Sequence, residues 1–155
     1  MAGIRFTGDG FEPFSNLLTR FQVRVQDAEP AFQKMADHFA NMNREQFGTQ
    51  GRRYGAGWSP LSPKYGAWKA KVRPGKPILE FDGLLRESLT QRPFGVDEIT
   101  GTGMVVGTGV PYAPYLQNGT EKMPARELLA KPTREDTKLW AKMMHEFIVK
   151  GEVRV

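Results

Sequence analysis

The chain has 155 residues, the length of one typical domain, and its 39% hydrophobic and 25% charged residues favour a globular fold over a disordered chain. It contains no cysteine, which excludes a disulfide framework, a thiol nucleophile and cysteine-ligated metal centres, and no apolar run approaches the ~20 residues of a membrane-spanning helix. The net charge of +5 is compatible with nucleic acid, an anionic membrane surface or an acidic protein as partner.

The first third of the chain predicts two helices. Its first residues lack the basic and then apolar order of a signal peptide, and residues 4–7 alternate like a short edge strand. Apolar residues at helical spacing from Phe14 predict a short helix. Apolar and polar residues alternate over residues 21–25, so the sequence does not define where this helix ends. A longer amphipathic helix comes next, with Asp27 as its expected N-cap, Pro30 in its first turn and an apolar face that reaches Phe47.

Residues 48–76 are the most unusual part of the sequence, because they contain seven bases and no acid. Since the whole chain carries +5 and this segment carries +7, the remainder carries only −2. Frequent glycine and proline predict a long loop, interrupted by one short helix over residues 63–71 that Ser62 caps. The bases are Arg52, Arg53, Lys64, Lys69, Lys71, Arg73 and Lys76, and the aromatic residues are Tyr54, Trp58, Tyr65 and Trp68.

Three interpretations of this basic segment remain open. Bases attract phosphates regardless of sequence and aromatic rings stack on nucleobases, which suits nucleic acid. Arginine, tryptophan and tyrosine also carry much of the binding energy of protein interfaces, which favours docking to an acidic protein. In the third interpretation Trp58 and Trp68 only fix a long loop to the core and the bases are solvated. Trp58 is expected to contact the core in every case.

Short helices and strands are predicted after the basic segment. Residues 83–89 form an expected helix with Asp82 as its N-cap. The glycine-bearing turn at residues 101–103 joins two expected strands, and residues 91–94 are a candidate third strand at an edge. The pattern therefore predicts a small antiparallel sheet.

The last third predicts two more helices and one strand. A short helix over residues 112–117 ends at Gly119, and residues 126–130 have the composition of a strand. Thr133 is the expected N-cap of a final helix that closes at Gly151, with acidic residues in its first turn. The apolar stripe of this helix is Leu139, Trp140, Met143, Met144, Phe147 and Ile148.

The sequence offers no recognisable catalytic constellation. His38 and His145 lie in predicted helices, and neither neighbours a serine in a nucleophile-like turn. The glycines at residues 101–103 and 107–109 lack the strand, helix and lysine context of a phosphate loop. We therefore expect no catalytic residue, no metal and no cofactor. A hydrolase would require one of the histidines to lie in a pocket beside an acid.

Several short motifs follow one another in a characteristic order. A helix that ends at Phe47 precedes a glycine-rich stretch, a Trp-x-Pro-Leu-Ser segment and a lysine-bearing helix. Ile-Leu, Gly-Leu, Gly-Thr, Tyr-Ala, a second Gly-Thr and Pro-Ala-Arg come later. The motif residues include Trp58, Pro60, Leu61, Ser62, Tyr112, Ala113, Gly119 and Arg126. Over about residues 30–148 the chain resembles the bacteriophage virion-morphogenesis or tail-completion family, the Mu-like group of small neck and tail-joining proteins.

The resemblance implies a non-enzymatic structural protein of the α+β class, in which helices pack on a small antiparallel sheet. One domain is expected over residues 1–155, with a long basic loop at 48–76 and a C-terminal tail at 151–155. Copies would form a ring of six- or twelve-fold symmetry in the neck or at the top of the tail, after assembly in the host cytoplasm.

The same resemblance indicates the partners, and the composition of the basic segment indicates the contact residues. The seven bases and Tyr54 are expected to project from the body and to contact an adjacent subunit, a neighbouring ring or DNA in the central channel. The neighbours would be neck, tail-terminator or tail-tube proteins, and no cofactor or membrane is implied. A small nucleic-acid-binding module that uses the basic segment is the alternative function.

Overall fold

The computed structural model describes residues 11–154, except for the side chains of Phe11 and Tyr54. In this part of the chain six α-helices and one 3₁₀ turn accompany a two-stranded antiparallel sheet, which confirms the predicted α+β class. The strand predicted over residues 4–7 lies outside the described residues. The elements are α1 (Phe11–Gln26), α2 (Glu29–Gly48), the 3₁₀ turn (Arg52–Tyr54), α3 (Pro63–Val72), α4 (Leu84–Thr90), β1 (Val96–Thr100), β2 (Gly103–Gly107), α5 (Ala113–Asn118) and α6 (Arg134–Lys150).

Helix α2 is the centre of the fold, because it packs against α4, α6 and both strands. Pro30 lies in its first turn as predicted, but the predicted N-cap is wrong by one position. The N-cap is Ala28, whose N–H donates to the carbonyl of Gly101 at 2.8 Å and so fixes the helix start against the hairpin turn. Asp27 instead accepts a hydrogen bond from the N–H of Glu29.

The hairpin of β1 and β2 covers one side of α2. Ile99 lies opposite Met104, and both pack on a cluster formed by α2 residues and Phe94. The third strand predicted over residues 91–94 is wrong. The Phe94 ring turns into this cluster and its N–H donates to the carboxylate of Asp97, so the backbone turns inward where a strand would have to pair.

The other main cluster joins α2 to α4, α5 and the loops around them. Helix α4 begins after Gly83, whose φ of 96° is in the left-handed region that favours glycine. The predicted N-cap Asp82 is wrong, since its carboxylate accepts hydrogen bonds from Arg73 instead. Helix α5 ends at Gly119 as predicted. The buried members of the cluster are Phe47, Trp58, Leu85, Leu89, Val110, Ala113 and Leu128.

Residues 126–130 form an extended segment, and the strand predicted there is wrong. Several N–H groups of this segment donate to side-chain oxygens of α2 and α5 instead of to a neighbouring strand, so no strand ladder forms. The N–H of Leu128 donates to the side-chain oxygen of Gln117 at 2.6 Å, and that of Ala130 donates to Asn43 at 3.0 Å.

Helix α6 packs along α2 and α1. Its N-terminus has the predicted Thr133 cap, extended to a capping box because Asp136 accepts a hydrogen bond from the Thr133 N–H. Gly151 closes the helix as predicted. The tail folds back, since Val153 packs beside Ala28 and Phe147.

Candidate partner-binding surface

The first part of the basic segment, residues 51–58, is folded against its own subunit. The Trp58 side chain is only 8% exposed, its ring lies 5.1 Å from that of Phe47, and its indole N–H donates to the carbonyl of Glu127 at 2.8 Å. Gly51, at φ 83°, lies so close that a Cβ there would be 2.5 Å from the Trp58 ring. Trp58 is therefore a core contact, as predicted, and the expectation that this part projects from the body is wrong.

Arg53 fixes the same part to helix α6. One guanidinium nitrogen donates to both carboxylate oxygens of Asp136, at 2.9 and 3.0 Å, and Nε donates to Glu45 at 2.7 Å. The Arg53 and Asp136 side chains are 11% and 7% exposed, so this is a largely buried ion pair. The pair connects two residues that are far apart in sequence and holds the 3₁₀ turn against the body.

Asp136 receives enough hydrogen bonds to remain ionised in this setting. Burial alone would raise the pKa of its carboxyl. Hydrogen bonds from Thr133 and Arg53 and the charge of Arg53 outweigh that effect, so the pKa lies below its ordinary value. The negative charge of Asp136 thus supports both the N-terminus of α6 and the position of Arg53.

The second part of the basic segment is helix α3, which Ser62 caps as predicted. Unlike residues 51–58, it presents most of its side chains to solvent, and Lys69 is its only buried residue. Trp68, 48% exposed, stacks on Phe81 at 5.7 Å and lies 5.4 Å from Tyr65. The Arg73 guanidinium lies over the Phe81 ring, 4.7 Å from the ring centre. The result is an exposed aromatic ridge surrounded by bases.

Lys69 is a buried cation in an otherwise exposed helix. Its side chain is 4% exposed and its ammonium donates to the carbonyl of Pro77. Burial lowers the pKa of this ammonium, and the nearby charge of Glu80 opposes the shift only in part. Lys69 therefore places a positive charge beneath the aromatic ridge, next to a neutral acceptor.

Arg126 crosslinks two of the motifs on which the family resemblance depends. Its Nε donates to the carbonyl of Ser59 at 2.8 Å and a terminal nitrogen donates to that of Pro60 at 2.9 Å. Its own N–H donates to Leu116 at 2.8 Å, which ties the same segment to α5. The Trp-x-Pro-Leu-Ser and Pro-Ala-Arg motifs, distant in sequence, are thus one local structure.

A groove of about 740 Å³ lies between this crosslinked unit, α3 and the start of α4. Its lining is mainly apolar and aromatic, with the buried cations Lys69 and Arg126 at its base. Sequence reasoning missed the groove, because its walls come from four separate stretches of chain. The lining residues are Pro60, Leu61, Ser62, Tyr65, Lys69, Leu79, Glu80, Phe81, Asp82, Gly83, Leu84, Leu85, Tyr112, Leu116, Lys122, Met123, Pro124 and Arg126.

The predicted contact residues differ in their surroundings. Arg52, Lys64, Lys71 and Lys76 are exposed, while Arg53, Lys69 and Arg73 have partners within the subunit. Only the backbone of Tyr54 is described, so its side chain lies outside the described residues. Among the predicted motif residues, Pro60, Leu61, Ser62, Tyr112 and Arg126 line the groove, and Trp58 and Ala113 lie in the adjoining core.

Neither histidine lies in the groove. His145 is exposed. His38 accepts a hydrogen bond from the Trp140 indole through Nδ1 at 3.0 Å, and its Nε2 is 3.6 Å from an oxygen of Asp136. This acid is already bound by Arg53, so the histidine joins α2 to α6 rather than facing a substrate-sized space. In residues 11–154 no cluster of histidine and acidic side chains could hold a metal ion.

Comparison with known proteins identifies the family of the chain. Neither a curated protein nor a solved structure matches the chain significantly. None of the described helices combines the length and the apolar composition that a membrane span requires. The model of the phage virion morphogenesis family matches residues 9–148, a range that contains the Trp58 core contact, α3 and the whole groove. Since that match extends over nearly the whole sequence, the chain belongs to the phage virion morphogenesis family.

Proposed function

We propose that this protein is a structural subunit of the phage neck or tail top, where copies form a ring that joins head and tail. Membership of the phage virion morphogenesis family supports a role in the particle or its assembly. The single observation that carries the finer proposal is the α3 ridge, in which Tyr65 and Trp68 are exposed on a folded body together with the bases Lys64 and Lys71. Exposed tryptophan and tyrosine side chains are typical of protein interfaces, where they carry much of the binding energy.

A ring requires two different, complementary surfaces on each copy. Helix α1 offers an apolar surface for the contact between copies, since Phe14, Leu17 and Leu18 are exposed on it. It lies on a different element from the α3 ridge and the groove, which remain available to a different protein. The role proposed here is that of a non-enzymatic connector with virion localisation.

Light scattering of the purified protein and electron microscopy of purified particles test this proposal. We expect a closed oligomer, of six or twelve copies on family grounds, and density for the protein at the head–tail junction. A variant with Leu17→Glu and Leu18→Glu should remain folded and become monomeric, with Val105→Glu on the hairpin as the matched control. A protein that is monomeric at all concentrations and absent from particles contradicts the proposal.

Contact with channel DNA is a second candidate, favoured by the exposed bases Arg52, Lys64, Lys71 and Lys76. Phosphate contacts weaken steeply as salt rises, independently of sequence. Replacing Lys64, Lys71 and Lys76 by alanine should abolish retardation of DNA at low salt, whereas Lys138→Ala with Lys142→Ala on α6 should not. No retardation of DNA by the unaltered protein at low salt rules this candidate out.

A further inference from the structure

The groove beside α3 has the form of a docking site for a peptide segment. Around it Tyr65, Leu84 and Tyr112 are exposed, and Leu85 and Leu116 lie deeper in it. Its volume of about 740 Å³ is large enough for several apolar side chains. An exposed apolar surface of this kind is typical of an interaction site.

The groove carries more basic than acidic side chains, and each of its two acids forms an ion pair with an arginine. Glu80 accepts a hydrogen bond from Arg86, and Asp82 accepts from Arg73 at 2.7 Å. Lys69, in contrast, donates to a neutral carbonyl, as the nearby Arg126 does.

Two further lysines add to this positive charge. Lys122 lines the groove, and Lys64 directly precedes the lining residue Tyr65 on α3; both lysines are exposed. No ion pair of either lysine is formed with the described part of the chain. The groove thus combines an apolar lining with a net positive charge.

We propose that the groove binds an acidic, apolar peptide segment of a neighbouring virion protein. Apolar side chains of that segment would lie between Tyr65 and Tyr112, and its carboxylates would meet Lys69, Lys64 and Lys122. This inference deepens the proposed function and rests on it for the identity of the partner as a virion protein. The binding chemistry depends only on the groove.

Two other occupants fit less well. A second copy of the chain would have to offer the exposed apolar face of α1, but that helix carries Arg20 and Arg24 against the single acid Glu12, so its charge has the same sign as the groove. Nucleic acid would supply negative charge but no apolar side chains for a lining that contains Leu79, Leu84 and Leu116. Charge complementarity therefore favours an acidic protein segment.

A pair of synthetic peptides tests the chemistry on the purified protein. One peptide alternates leucine with glutamate, and its counterpart has lysine in place of every glutamate. Amide resonances at Leu79, Phe81 and Lys122 are expected to shift with the glutamate peptide only, and its affinity should fall about tenfold in a variant with Lys64→Glu and Lys122→Glu. Equal shifts with both peptides, or none with either, overturn the inference.

Lys69→Met separates binding from folding. It removes a buried cation while keeping an apolar stem of similar size, so the unfolding midpoint should change little and the affinity for the glutamate peptide should fall. Lys138→Glu, an exposed position on α6, is the control for overall charge. Unchanged affinity in Lys69→Met and in the Lys64→Glu, Lys122→Glu variant overturns the inference even if the glutamate peptide binds.

Crosslinking in assembled particles identifies the natural partner. A photoreactive phenylalanine analogue in place of Tyr112 is expected to crosslink to an acidic, apolar segment of a different virion protein, identified by mass spectrometry. The same analogue in place of Val105, on the outer face of the hairpin, is the control. Crosslinks to DNA, to another copy of this chain or to a basic segment overturn the inference. Absence of the protein from particles contradicts the proposed function, while the peptide result decides the groove independently.

Discussion

The two parts of the basic segment use the same residue types in opposite ways. In residues 51–58 a tryptophan and an arginine are buried, with the Trp58 ring on Phe47 and the Arg53 guanidinium on Asp136. In α3 a tryptophan and an arginine stay at the surface, with Trp68 stacked on Phe81 and Arg73 paired to an exposed Asp82. Residues 51–58 therefore hold the basic segment against the body of the protein, and α3 exposes its aromatic and basic side chains to solvent.

This difference shows that a run of bases does not act as one unit. A guanidinium that is bound by a buried carboxylate adds little to the positive field outside the protein. A lysine without an acidic partner contributes its full charge. The seven bases of residues 48–76 therefore reduce to a smaller set around α3 and the groove that can attract an acidic partner.

The largest difference in stability is expected between variants of the two tryptophans, Trp58 and Trp68. Trp58→Ala leaves a cavity in the core and removes the hydrogen bond to Glu127, so it should lower the free energy of unfolding by about 3–5 kcal/mol. Trp68→Ala removes only an exposed stack and should cost less than about 1 kcal/mol. Urea denaturation measures both. Similar losses of unfolding free energy in the two variants would contradict the conclusion that residues 51–58 are buried against the body while α3 is exposed.

The two arginines give a smaller but still clear contrast. Arg53→Ala leaves Asp136 with one charge partner fewer in a buried position and should lower the free energy of unfolding by about 3 kcal/mol. Arg73→Ala breaks a pair whose side chains are 44% and 63% exposed, and should cost about 0–1 kcal/mol. Thermal unfolding at low and high salt distinguishes the two pairs, since added salt should weaken the exposed Arg73–Asp82 pair more than the largely buried Arg53–Asp136 pair. Equal costs would mean that Arg53 is not an anchor.

Much of the helical framework could be predicted from local sequence patterns. The caps at Ser62 and Thr133 and the turn at residues 101–103 follow from residue types within a few positions of one another, although the caps predicted at Asp27 and Asp82 do not form. Local physics decides these features, because a cap or a turn is satisfied by its nearest neighbours.

Features that depend on distant residues could not be predicted in this way. Residues 126–130 have a strand-like composition, but Gln117 and Asn43 supply the acceptors for their N–H groups. Arg53 meets an acid 83 positions away, and the groove combines four stretches of chain. Local composition gives no information on which distant side chain will satisfy a donor, so these contacts appear only in the folded structure.

The smallest expected effect is the dependence of stability on acid pH, which tests the Arg53–Asp136 pair of residues 51–58. Because the pKa of Asp136 is lower in the folded protein than its ordinary 3.8, the folded state binds fewer protons than the unfolded state between the two values. This contribution to stability is complete above the ordinary pKa and is lost as pH falls through the lower, folded one. Urea midpoints from pH 5 downward should therefore fall more steeply in the unaltered protein than in Asp136→Asn, which cannot titrate there. Parallel profiles for the two proteins would contradict the assignment of this acid-dependent stability to Asp136.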